Sequence, residues 1–155
     1  MNVSYGAAQS HINPFQQYQD VGKMSLDLQK EYLDKFDFLP AIKQEILESP
    51  KPLDTFIENL FWLRNNEANK ANSEFNNFIY KNEIFIEEPL AKQFKSVSKK
   101  IGSALISRGS NHEYGTGRKE DDSWGTINKE CPPLVESLGV ELREKFFTRS
   151  SALAG

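Results

Sequence analysis

The residues best suited to chemistry lie in a polar stretch of the C-terminal half, where His112, Glu113 and Tyr114 are adjacent and an acidic run follows at 120–122. An imidazole beside carboxylates could bind a divalent metal or transfer protons. The other histidine, His11, lies near the opposite end of the sequence, and the chain has no HExxH or paired ExxH motif. We therefore expect no metal site, no cofactor and no catalytic set.

The same stretch contains GTGRK at 115–119, in which two glycines and two cations could cradle a phosphate. It is not a P-loop, because the second glycine comes too early and no Ser or Thr follows the lysine. The stretch as a whole is a candidate binding loop, because binding residues often lie on loops that a rigid scaffold holds in place. Its candidate ligand-binding residues are His112, Glu113, Tyr114, Arg118 and Trp124.

The single cysteine, Cys131, stands just before Pro132 at the expected start of a helix. A thiolate near a helix N-terminus can have a lowered pKa, but no histidine lies nearby in the sequence to act as a base. We expect a partly buried, unreactive thiol. A lone cysteine excludes an internal disulfide and favours a reducing compartment.

Net charge and hydropathy exclude several classes of partner. The chain has 155 residues and a net charge of −3, with a pI near 5.5, so it lacks the basic surface of a dedicated nucleic-acid binder. No apolar run approaches the ~20 residues needed to cross a bilayer. The first residues, MNVSYGAAQSHINPFQQ, are too polar for a signal peptide. We expect a cytoplasmic protein with no membrane span and no nucleic-acid partner.

Two apolar stripes with helical spacing dominate the middle of the chain, and they predict helices over Leu53–Lys81 and Glu88–Ser107. The second stripe repeats about every 3.5 residues, which favours helices packed side by side at a shallow angle. Its members are Leu90, Phe94, Val97, Ile101 and Ala104.

The segment NEIFIEEP separates the stripes and ends at Pro89. Proline breaks a helix interior but is tolerated in a first turn, so the segment predicts a tight connection at Asn82–Ile86 and two antiparallel neighbouring helices. Ile84, Phe85 and Ile86 are expected to plug the end of this hairpin. The alternative is a short strand made of EIFI, whose composition suits a strand although no second convincing strand exists to pair with it.

The remaining segments complete an all-α, four- to five-helix bundle built on the long antiparallel helical hairpin. Residues 1–14 are expected to form a flexible or adherent arm, 15–150 a single helical domain and 151–155 a frayed tail. A long surface loop over 108–130 precedes a last helix that runs from about Pro132 to Phe147. Trp124 and Ile127 are expected to pin the far end of the loop to the core.

Phe61 and Trp62 are candidates for a partner interface. They lie on different sides of one predicted helix from Phe56, so at least one of them needs cover from elsewhere. The arm and a short helix could supply that cover, or a second subunit could, because apolar surface on a small helical body often marks an interaction site.

The segment EFNNFIYKNEIFIEEPLAKQF, followed by a Trp and then by ELREKF, resembles a group of small uncharacterised bacterial helical proteins. Some of those proteins are associated with phage defence or mobile gene cassettes. The resemblance covers about half of the chain. It implies an antiparallel helical hairpin and a bacterial origin, and it carries over no catalytic residue.

Two functions from different classes remain after these exclusions. The first is a non-enzymatic helical protein-interaction module, which could self-associate. The second is a small-molecule-binding protein or an enzyme that uses the 108–130 loop. The first is favoured, because the helical stripes suit helix partners and no convergent catalytic residues are visible.

Overall fold

The computed structural model describes residues 2–12, 18–114 and 123–152, and it describes side chains for 4–9, 18–114 and 123–145. Every regular element in these ranges is helical and none of their residues lies in a strand, which confirms the all-α prediction. None of the described helices combines the length and apolar character needed to span a bilayer. By contact density, Pro14–Glu67 forms one compact unit, and Met1–Asn13 with Ala68–Gly155 forms another.

The unit Pro14–Glu67 is built around Phe56, which is fully buried. Its helices are α2 (Leu26–Leu33), α3 (Pro40–Glu48) and the first half of α4 (Pro52–Asn82). Proline opens both α3 and α4, where its missing N–H leaves no hydrogen bond unmade. Four aromatic rings surround Phe56 with centroids 5.1 to 5.9 Å away, and they belong to Tyr18, Tyr32, Phe36 and Phe38.

The predicted break before Pro89 is confirmed. Helix α4 ends at Asn82, a single 3-10 turn covers Glu83–Phe85, and α5 (Glu88–Tyr114) begins one residue ahead of the proline. The strand alternative for EIFI is therefore wrong, since these residues form the 3-10 turn and the residue that follows it.

The expected plug at this break is wrong for two of its three side chains. Ile84 is 84% exposed and Phe85 is 81% exposed, whereas Ile86 is half-buried. Ile84 and Phe85 belong to the 3-10 turn, where consecutive side chains point about 120° apart, and Ile86 follows the turn in an extended conformation, so the three side chains do not face one core. Only Ile86 turns inward.

The other unit packs its core around α5. The second half of α4 contacts α5 through Phe75 and Phe94, whose ring centroids are 6.0 Å apart, and through Asn72, which donates to the Ser98 carbonyl at 3.1 Å. Helix α1 (Asn2–Ile12) also packs on α5. The fully buried core residues come from five segments, and they include Ala8, Ala68, Val97, Ile101, Leu105, Ile127 and Leu138.

The predicted loop over 108–130 is wrong wherever the structure describes it. Helix α5 continues to Tyr114, and Ser123–Gly125 forms a short α6 that leads into a π turn over Thr126–Glu130. Gly109 is buried in the continued α5, so packing overrides its low helix propensity. Residues 115–122 lie outside the described part.

The π turn leads directly into α7 (Cys131–Ala152), which starts one residue before the predicted Pro132. Pro132 and Pro133 have no N–H to donate, and their rings would crowd the carbonyls one α-turn earlier. The wider turn relieves this crowding, and the Cys131 N–H reaches back five residues to the Thr126 carbonyl.

Candidate functional site

The predicted ligand-binding residues do not converge in the described structure. His112, Glu113 and Tyr114 follow one another in the last turn of α5, where successive side chains point about 100° apart. His112 is half-buried and the other two are exposed. Arg118 lies outside the described residues. No group of three His, Cys, Asp or Glu in the described part could hold a metal ion. The ligand-binding role of these residues stays a prediction.

Trp124 is not the anchor that the sequence suggested, because its side chain is 53% exposed. The Lys129 ammonium lies 5.4 Å from its ring centroid, close enough for a cation–π contact across the π turn. Ile127 is fully buried, as predicted, and it packs in the core of the α5 unit.

Phe61 and Trp62 are both half-buried on α4. Their rings meet edge to face with centroids 5.2 Å apart, and the Trp62 indole Nε1 donates to Glu58 Oε1 at 2.8 Å. Local contacts therefore cover part of this surface. Its role as a partner interface stays a prediction.

A groove of about 500 Å³ opens beside the 3-10 turn, in the unit that contains α5. We call it the turn groove. Four segments form it: the end of α4, the 3-10 turn, the first two turns of α5 and the middle of α7. Its lining residues are Phe78, Asn82, Phe85, Ile86, Glu87, Leu90, Phe94, Leu142 and Lys145.

The turn groove has a buried apolar floor and exposed aromatic walls. Leu90 is 5% exposed, whereas Phe78 is 61% exposed and Phe85 is 81% exposed. The Asn82 side chain donates to the Phe78 carbonyl at 2.8 Å, within the last turn of α4. The end of the helix is thereby fixed beside the groove.

The charged residues on the rim of the turn groove form ion pairs with one another. The Lys145 ammonium lies 2.5 Å from Glu87 Oε2 and 3.1 Å from Glu141 Oε1. These hydrogen bonds, first to Glu87 and then to Glu141, raise the pKa of Lys145 above its ordinary range. Gln93 Nε2 donates to the other Glu141 oxygen at 2.9 Å. The rim ties α5 to α7, and its polar groups are already engaged.

Sequence reasoning missed the turn groove because it expected the apolar residues at the break to fill that space. The sequence does carry a signal for this groove, which is a surplus of apolar residues around the break. Phe78, Ile84, Phe85 and Ile86 all lie within nine residues around a break whose geometry admits only one of the last three. Apolar residues in excess of what a turn can bury indicate an exposed apolar surface.

Cys131 is fully buried, whereas the sequence predicted only partial burial, and its lack of reactivity stays a prediction. Burial raises the pKa of the thiol, and the nearby Lys100 opposes that effect only in part. Tyr5 on α1 donates to the Ile127 carbonyl at 2.9 Å in the same region. Burial of this thiol therefore favours its protonated form.

The chain was also compared with known proteins. No family model, curated protein or solved structure matches it. The resemblance to small bacterial proteins of the mobile gene-cassette and phage-defence type therefore stays a prediction.

Proposed function

We propose that this protein is a non-enzymatic helical interaction module, and that the turn groove is its binding surface. The observation that carries the proposal is the exposure of Phe78 and Phe85 on the walls of an apolar groove. Contiguous exposed apolar surface on a small body often marks a site of protein–protein interaction.

An antiparallel hairpin supports this surface in our proposal. Phe75 of α4 contacts Phe94 of α5. Asn72, three residues before Phe75 on α4, contacts Ser98, four residues after Phe94 on α5. Residue numbers that fall in one helix as they rise in the other are expected of antiparallel neighbours. The hairpin would hold both aromatic walls on rigid elements.

The polar groups of the rim favour binding over catalysis. A catalytic pocket brings a few polar groups together on the reacting atoms, often with perturbed acid–base behaviour. In the turn groove, Lys145 is engaged by two carboxylates and Glu141 also accepts from Gln93. Two of the polar residues that line the groove, Glu87 and Lys145, are paired with each other, and most of the lining residues offer a partner apolar contact.

Site-specific photo-crosslinking tests the proposal. Phe85 is replaced by p-benzoyl-L-phenylalanine in cells that express the protein, and Ile106 is replaced in the same way as the matched control. Ile106 is 68% exposed on the same helix pair, and about 25 Å further along α5 than its first residues. We expect a discrete light-dependent protein adduct from position 85 only. Equal labelling at both positions, or none, would refute the assignment of the groove.

Small-molecule binding is the second candidate function, and one observation favours it. A volume of about 500 Å³ falls within the range of pockets that hold small ligands. In this case a bound compound would survive native mass spectrometry of the purified protein, and Leu142→Trp would displace it by filling the groove. A mass equal to that of the bare chain would argue against this function.

A further inference from the structure

We propose that the occupant of the turn groove is a second copy of this chain. The two copies face each other groove to groove about a two-fold axis, and the exposed rings of Phe78 and Phe85 from each copy enter the groove of the other. This inference rests on the proposed interaction function and names its partner.

The shape of the surface is self-complementary. A two-fold interface brings the same patch of both copies together, so each patch must contain both a projection and a recess. Phe85 projects from the 3-10 turn with 81% of its surface exposed, and it stands on the wall of the groove itself. An engineered cavity of about 150 Å³ holds one benzene molecule. The turn groove, at about 500 Å³, has room for the two rings that the partner would contribute.

The charges around the groove are balanced, which a self-facing surface requires. The two segments that form most of it, 78–95 and 141–145, contain five basic and five acidic residues. A patch of one sign would repel its own copy across the two-fold axis, whereas a balanced rim does not. Three ion pairs lie within these segments, and they join Glu83 to Lys95, Glu88 to Lys92 and Glu87 to Lys145. A strongly charged partner would find no complementary field here.

The exposed area sets the strength of the association. Given their exposed fractions, Phe78, Ile84 and Phe85 leave roughly 400 Å² of apolar side chain in water per copy. A stable interface of standard size buries about 800 Å² per partner. The walls of the groove add to the roughly 400 Å² of exposed side chain, so we expect a reversible dimer with a dissociation constant of roughly 1 to 500 µM.

Sedimentation velocity on the full chain is the first test, over a concentration range from about 1 to about 500 µM, which brackets such a constant. The weight-average mass should rise toward twice that of the chain. Phe85→Ser and Phe78→Ser should each weaken the association by about tenfold or more, as hot-spot truncations do. The control variant Ile106→Ser should leave it unchanged. All three positions are exposed, so circular dichroism should show an unaltered fold.

Disulfide trapping tests the geometry. One copy carries Phe85→Cys and the other carries Leu142→Cys, while the native Cys131 stays buried in both. Mixing the two under mild oxidation should give a covalent heterodimer faster than a mixture in which Ile106→Cys replaces Leu142→Cys. Equal yields in the two mixtures would overturn the proposed arrangement.

The outcomes separate this inference from the proposed function. A chain that stays monomeric at the highest concentration overturns the dimer. If the photo-adduct at position 85 then contains a different protein, the interaction function stands with another partner. If no adduct forms, both proposals fall together.

Discussion

Replacement of Asn72 by alanine tests the polar contact at the centre of the α5 unit. Asn72 lies on α4 and is 7% exposed. Its side-chain oxygen accepts from the Ser4 hydroxyl at 3.1 Å and from the Ser98 hydroxyl at 2.9 Å, while its amide nitrogen donates to the Ser98 carbonyl at 3.1 Å. One amide therefore joins α1, α4 and α5.

The expected cost follows from the two donors that Asn72→Ala leaves behind. Ser4 is 1% exposed and Ser98 is fully buried, so neither hydroxyl can turn to water. An unsatisfied buried donor costs about 1–3 kcal/mol, although Ser98 can recover part of this by donating to the carbonyl one turn earlier. Alanine is the better helix former by about 0.5 kcal/mol. We expect a net loss of about 2–3 kcal/mol in the free energy of unfolding.

Urea unfolding followed by tryptophan fluorescence measures this loss. The chain has two tryptophans, and each compact unit contains one of them. In a Trp62→Phe background, Trp124 alone reports on the unit that contains Asn72. Asn77→Ala is the matched control, because it makes the same substitution at an exposed position of the same helix. It should change stability by no more than about 0.5 kcal/mol.

A triple variant provides the decisive comparison. Asn72→Leu with Ser4→Ala and Ser98→Ala removes the hydroxyl donors together with their acceptor, and such apolar replacement of a whole network can be nearly neutral. It should be more stable than Asn72→Ala alone. If the triple variant is the less stable of the two, or if Asn72→Ala costs under about 1 kcal/mol, the hydrogen-bond argument is wrong.

Two further predictions concern the same unit. A Cβ at Gly102 would lie 3.2 Å from the Asn72 amide nitrogen, so Gly102→Ala should not stabilise the native chain. In the Asn72→Ala background this contact is absent, and Gly102→Ala should raise the free energy of unfolding by about 1 kcal/mol through helix propensity. A double-mutant cycle measures the difference. Burial raises the pKa of Cys131 above its ordinary value of 9.0 and the pKa of Tyr5 above its ordinary value of 10.0. The folded chain therefore holds both protons more tightly than the unfolded chain, so urea unfolding should show stability that is intact below pH 9 and declines as the pH rises beyond it. Cys131→Ala should make that decline shallower, and an identical decline in this variant would exclude the thiol as a cause.

The sequence predicts most reliably where one residue has a single physical reading. Pro89 cannot occupy a helix interior, and this constraint locates the break between α4 and α5 to within a residue or two. The burial of Ile127 and Cys131 is likewise expected, because both have apolar side chains. These predictions depend on local sterics and on hydrophobicity, and both are properties of the residue type.

Sequence reasoning fails where packing decides between weak local preferences. Residues 108–114 read RGSNHEY, a composition typical of loops, yet they continue α5 because Gly109 packs into the core. Phe85 is a residue type that is usually buried, yet it lies on the surface. The direction of a side chain in a 3-10 turn depends on where the turn starts, and the sequence does not give that position. The turn groove follows from the second effect, and the surplus of apolar residues around the break is its signal in the sequence.

The contacts of α1 have a consequence for synthesis on the ribosome. The unit Pro14–Glu67 is continuous in sequence, whereas α1 bonds to partners that are translated much later, with Tyr5 and Ile127 separated by 122 positions. At bacterial or eukaryotic elongation speeds, roughly 6–24 s pass between the appearance of these two residues. An isolated helix of 11 residues is marginal in water, so the nascent N-terminal segment must wait unfolded while the next unit forms behind it. Helix α1 is therefore made well before its partners, and it is among the last of the described helices to reach its final place.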